Sequence, residues 1–109
     1  MAGQTPLNAQ NAVISTSGGL YTALGLTAGQ NLVKATPGRI FRLVVTTAGT
    51  AGTFAVNDAA STAAVAASNL VFSILNTTAA GTVITLEFPC ANGIVVTVPT
   101  TGVVSVSYV

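Results

Sequence analysis

Segments of strand length that alternate apolar and polar residues recur along this chain at spacings of roughly 8–14 residues, with turn-forming residues between them. The clearest lies in Lys34–Thr47. Pro37-Gly38 enforces a turn there, because proline fixes φ and glycine accepts angles that other residues avoid. In the strand that follows, period-two alternation sets Phe41, Leu43 and Val45 on one face and Ile40, Arg42, Val44 and Thr46 on the other. The second face is half apolar, which suits a central strand or one whose outer face meets another subunit. All three basic residues, Lys34, Arg39 and Arg42, fall in this turn and strand.

Taken in order, residues 1–17 read as an extended N-terminal arm, polar and small. Residues 18–109 read as a single β-sandwich domain. A short strand is expected around Leu20–Leu24, a turn at Gly25–Gln30 and a second strand at Asn31–Ala35. After the main strand, Thr53–Asn57 alternates with Phe54 and Val56 inward. Asp58–Ser68 is alanine-rich, and Asp58 would cap one or two helical turns there; a plain loop competes with that reading. Leu70, Phe72 and Ile74 share a face, as do Ile84, Leu86 and Phe88, with Val83, Thr85 and Glu87 opposite. Ile94–Val98 and Val103–Val109 close the chain, the last with Val104, Val106 and Tyr108 opposing Ser105 and Ser107. The expected class is therefore all-β: an antiparallel β-sandwich, jelly-roll-like, of seven or eight strands. Phe41, Phe54, Phe72 and Phe88 are the expected core anchors.

Charge is what this chain lacks. Only 5% of its 109 residues are charged, against ~25% in a typical soluble domain. Such a surface carries little repulsion between copies, so self-association is expected. A formal net charge of +1 supplies no footprint for nucleic acid or an anionic membrane. The charge-free stretch Ala59–Leu86 is long enough to cross a bilayer, but Ser, Thr, Asn and Gly interrupt it throughout. Residues Met1–Asn8 have neither a basic region nor an apolar core, so no signal peptide is expected and synthesis in a cytoplasm is.

Residues suited to catalysis are scarce. Histidine is absent, which removes the commonest general base and imidazole ligand. The carboxylates are Asp58 and Glu87, the first read as a cap or turn residue and the second as part of a strand's exposed face. Gly49-x-x-Gly52 lacks the spacing and lysine of a phosphate loop and reads as a hairpin turn. The single cysteine, Cys90, has no second cysteine to pair with and no base beside it in sequence, so it reads as inert and partly buried. Tyr21 and Tyr108 offer a sugar-stacking platform at most, and packing at the core edge or an interface is the plainer role. No enzyme activity, cofactor or metal is expected.

Four segments together resemble the small structural proteins encoded in the head and tail modules of tailed bacteriophages. They are Lys34-Ala-Thr-Pro-Gly-Arg-Ile-Phe41, Asn57-Asp-Ala-Ala-Ser61, Phe88-Pro-Cys-Ala-Asn-Gly-Ile-Val-Val96 and Val104-Ser-Val-Ser-Tyr108. The resemblance runs over roughly residues 30–109 and implies a virion component, in particular a capsid decoration (cement) protein with a jelly-roll-like fold. It carries no catalytic residues. The implied partners are the major capsid protein, or another virion protein, and further copies of the chain, as a homotrimer or else a dimer. The implied location is the virion, after synthesis in the host cytoplasm. Candidate interface residues are Lys34, Arg39, Arg42 and Glu87, with Ile40, Val44, Val83 and Val95 as apolar outer positions. A tail, neck or fibre component and a carbohydrate-binding adhesion module are the competing expectations.

Overall fold

The computed structural model describes residues 19–109, so the arm expected over residues 1–17 lies outside the described residues. Eight strands form: β1 (Tyr21–Leu26), β2 (Gly29–Lys34), β3 (Gly38–Thr47), β4 (Thr53–Asn57), β5 (Leu70–Leu75), β6 (Val83–Cys90), β7 (Ile94–Val98) and β8 (Val103–Tyr108). They build two four-stranded sheets, in the orders β1-β8-β3-β6 and β2-β7-β4-β5. Every pairing is antiparallel, and the pairings nest: β1 with β8, β2 with β7, β3 with β6 and β4 with β5. The chain is thus an all-β, two-sheet structure, as its alternating pattern predicts, and the nested order is compatible with the jelly-roll-like expectation.

The core lies between the sheets. Leu43 and Val45 of β3, Phe54 and Val56 of β4, Ile94, Val96 and Val98 of β7 and Val104 and Val106 of β8 form one buried cluster. These strands occupy the two middle positions of each sheet, which is why their inward residues are sealed on all sides. Edge strands β5 and β6 contribute Phe72, Ile74, Ile84 and Leu86, all only partly buried.

Several expectations need correcting. Ile40 does not face outward; it is fully buried in the same cluster as Leu43. A bulge between Ile40 and Arg42 in the pairing with β8 inserts one extra residue, so Ile40 and Leu43 both turn inward and Arg42 outward. Phe41, the inserted residue, is buried outside the central cluster. Gly19, at φ 89°, lies over its ring: a Cβ there would stand 3.2 Å from Phe41 and 2.9 Å from the Tyr108 nitrogen.

Val95 is likewise fully buried although it faces away from the core. Its register partner Asn57 donates from Nδ2 to the Ala66 carbonyl (3.1 Å) and to Asn69 Oδ1 (2.9 Å), and Asn69 Nδ2 donates to the Ala64 carbonyl (2.9 Å). These bonds fold the segment after β4 back over the outer face of the sheet, and Val95 is sealed beneath it. The segment is a loop with two single 3₁₀ turns, Thr62–Ala64 and Ala67–Asn69, and Asp58 caps neither; their N-cap residues are Ser61 and Ala66.

Phe88 is no core anchor, being 43% exposed. A second bulge interrupts the pairing of β3 with β6, where Leu86 and Glu87 together stand opposite Phe41, and Glu87 takes φ 48°. The kink sits in an edge strand, with no further strand to cover the ring. The boundary of the first strand also shifts. Gly25, at φ 64°, bulges β1 instead of ending it, and its N–H donates to Ser105 Oγ at 3.1 Å.

One turn invites a stabilising change. The Gly102 N–H donates to the Pro99 carbonyl at 3.0 Å, closing the β7–β8 turn with Thr101 in its third position at φ 63°. A β-branched residue is strained there, and asparagine or glycine is preferred. Thr101→Asn should therefore gain about 1 kcal/mol, read as a higher midpoint in chemical denaturation.

Candidate functional site

The outer face of the β1-β8-β3-β6 sheet carries the densest set of exposed functional groups. Antiparallel register aligns Thr22, Ser107, Arg42 and Thr85 in one row across all four strands. The next row holds Ser105, Val44 and Val83. Between them lies a shallow groove of about 210 Å³, lined by Thr22, Leu24, Arg42, Val44, Ser105, Val106 and Ser107. None of these residues is acidic, so the Arg42 guanidinium has no carboxylate in its groove. The Ser107 hydroxyl is buried with no hydrogen-bond partner among the described residues. Such a group costs free energy in the isolated chain. Leu24 and Val83 project from the same face at 74% and 56% exposure.

The other expected interface residues gather at one end of the fold. Arg39 and Val109 exchange backbone hydrogen bonds, each 2.9 Å, and Lys34 packs its side chain against Gly38. Arg39 Nη1 donates to the backbone carbonyl of Glu87 at 3.3 Å, so the guanidinium braces the bulge that holds Glu87 out. Arg39, Arg42 and Glu87 thus belong to one sheet, and Lys34 lies at the end of β2 in the other. Sequence reasoning found the arginines but not Ser107, Thr22 and Leu24 as their neighbours. The Ser105/Ser107 alternation was the available signal; the partner row across strands needed the register.

Asp58 is engaged within the fold. Its carboxylate accepts three backbone N–H groups, from Ala91 (3.0 Å), Asn92 (2.8 Å) and Gly93 (3.3 Å). Burial alone would push its pKa up, but the three amides together hold it below the ordinary carboxylate value. The residue ties the end of β4 to the β6–β7 turn.

Cys90 is 2% exposed, and its pKa is pushed up to about 11, first by burial and then by the nearby Asp58 charge. A thiol of that kind is a poor nucleophile at neutral pH. In the native state Cys90 should react with a thiol reagent at least tenfold more slowly than in denaturant, by absorbance at pH 8. Equal rates would mean that the strand end opens freely.

Tyr21 and Tyr108 stack at 5.7 Å between ring centroids with a 40° tilt, and Tyr21 is half exposed at the β1 edge. Among the described residues no three metal-ligating side chains cluster, and no helix is long and apolar enough to cross a membrane. Comparison of the chain with protein-family models, with curated proteins and with solved structures gives no match.

Proposed function

We propose that this chain is a structural protein of a tailed-bacteriophage virion, acting as a capsid decoration protein that bridges major capsid subunits. The reading rests on the resemblance of residues 30–109. The observation that best supports it is the surface: Leu20, Tyr21, Leu24, Leu32, Leu70, Leu75, Val83 and Phe88 are all exposed on a fold with few charges. Large apolar side chains left in water around a small sandwich are surface available for burial against neighbours. A cement protein works in this way, adding buried area across the seams of a shell. In this reading the protein is a homo-oligomer, a trimer before a dimer, and needs no cofactor.

A ligand that binds only the assembled state stabilises that state by mass action. Added to particles stripped of it, the protein should raise the temperature at which the capsid releases its contents. Attachment through apolar area and neutral hydrogen bonds should change little between low and high salt. No shift in the release temperature, together with no density for the protein on the head by electron microscopy, would end this reading. Density on the tail or neck would move the protein to that part of the virion. Sedimentation at micromolar concentration tests the oligomer.

A further inference from the structure

We propose that the Asn92-Gly93 step in the β6–β7 turn is a latent site of spontaneous deamidation, and that the Asp58 carboxylate keeps it unreacted. This chemistry needs no partner and holds whether or not the protein serves in a virion.

The reaction is intramolecular. The Gly93 backbone nitrogen loses its proton to solvent base and attacks the side-chain carbonyl carbon of Asn92, forming a new C–N bond. The bond from that carbon to the carboxamide nitrogen breaks, and ammonia leaves with a proton taken from water. Water then opens the cyclic imide at either carbonyl, giving aspartate or isoaspartate. One water enters and one ammonia departs, so no oxidant or cofactor is required. Asn92 is the one asparagine in the chain followed by glycine. With no Cβ on the glycine, the approach of its nitrogen to the asparagine side chain is unhindered.

The fold both demands this labile pair and restrains it. Gly93 is buried and Asn92 exposed. A Cβ on Gly93 would run into the backbone carbonyls of Ala59 and Lys34, so packing requires glycine at this position. The restraint comes from Asp58. The Gly93 N–H, whose nitrogen is the nucleophile, donates to Asp58 Oδ1 at 3.3 Å, and the Asn92 N–H donates to the same oxygen at 2.8 Å. One carboxylate oxygen therefore fixes the backbone on both sides of the Asn92 Cα. The Ala91 N–H, held on Oδ2 at 3.0 Å, extends the clamp by one residue. For attack, the Gly93 nitrogen must give up its hydrogen bond, become an anion beside the carboxylate and swing toward the Asn92 side chain. A neighbouring like charge opposes the anion. The pairing of Cys90 with Gly38 and of Ile94 with Lys34 anchors both ends of the turn and opposes the swing. Reaction thus waits on local opening of the turn. Isoaspartate, once formed, lengthens the backbone between residues 92 and 93, so their amides no longer meet one oxygen of Asp58.

The test is peptide mass spectrometry of the full chain aged at physiological temperature and neutral pH, with isoaspartate identified by enzymatic methylation of its carboxyl. Asn92 in the native protein should convert about tenfold or more slowly than in the chain unfolded in urea. Asp58→Ala, folded by circular dichroism, should convert about tenfold or more faster than the native protein. Asp58→Asn keeps an acceptor oxygen but loses the charge, so its rate should fall between the two. Phe54→Leu, brought by urea to the stability of Asp58→Ala, separates the clamp from general weakening: with Asp58 intact, Asn92 should react near the native rate. Equal rates in native and unfolded chains would overturn the proposal. So would an Asp58→Ala rate no faster than native, or a stability-matched Phe54→Leu rate as fast as that of Asp58→Ala, which would assign the reaction to global unfolding. If Asp58→Ala does not fold, Asp58→Asn decides in its place, and a native rate there refutes the clamp.

Discussion

Phe54→Ala should cost about 3–5 kcal/mol, a large share of the total stability of about 5–15 kcal/mol of a domain. Phe54 is the largest of the fully buried side chains, on a middle strand with β5 and β7 on either side. It reaches the β7–β8 turn, where a Cβ on Gly102 would stand 3.2 Å from its ring. Truncation removes apolar contact and leaves a cavity that two hydrogen-bonded sheets cannot close. Urea denaturation followed by circular dichroism measures the loss, and Phe54→Leu, which keeps most of the volume, should cost below ~2 kcal/mol. Phe88→Ala is the contrast. With 43% of its surface exposed, Phe88 should yield on the order of 1 kcal/mol or less. Equal losses at the two positions would refute the core described above.

The second large effect is expected at Asp58. Removing its carboxylate strands the amides of Ala91, Asn92 and Gly93 and frees the turn between β6 and β7 from the end of β4. Hydrogen bonds to a charged group contribute about 1.5–3 kcal/mol each when buried and less in solvent. Asp58→Ala should therefore lose about 2–3 kcal/mol at pH 7, this site being only partly buried. The direction with pH follows from the lowered folded-state pKa. The stabilisation is fully present above the unfolded carboxyl value of about 3.9 and disappears as pH falls through the still lower folded value. The gap between native and Asp58→Ala proteins should thus be constant from pH 7 to about 5 and shrink below about 4. A gap unchanged down to pH 2 would mean that the carboxylate's charge is not what holds the turn. Cys90 gives a second readout, since loss of the Asp58 charge removes one of the two causes that raise its pKa.

Phe54 acts in the core and Asp58 through backbone hydrogen bonds within the fold, so both variants report on folding. A variant that binds particles poorly but melts normally points to the outer face, where Arg42, Ser107, Leu24 and Val44 lie. A variant that fails both measurements says nothing about the surface.

Much of this architecture is written in local pattern. The alternation of Leu43 and Val45, of Phe54 and Val56, and of Val104 and Val106 names core residues correctly, because period two is a property of the strand itself. Turn residues and strand spacing were enough to name an all-β antiparallel sandwich, and the scarcity of charge limited what its surface can bind. Partner strands and covering loops decided the rest. Ile40 turned inward because β3 bulges against β8, and Phe88 turned out because β6 bulges against β3; a bulge is a mismatch between two strands and cannot be read from one. Val95 is buried because the loop after β4 folds over it, pinned by Asn57 and Asn69. The Thr22–Ser107–Arg42–Thr85 row draws on residues up to 85 positions apart in sequence, and only the register between antiparallel strands brings them into line. Asp58 carries the same lesson. Its short side chain before a run of alanines has the local chemistry of a helix cap, but the amides that needed it lay more than thirty residues away, in a turn that only the packed sandwich brings beside it.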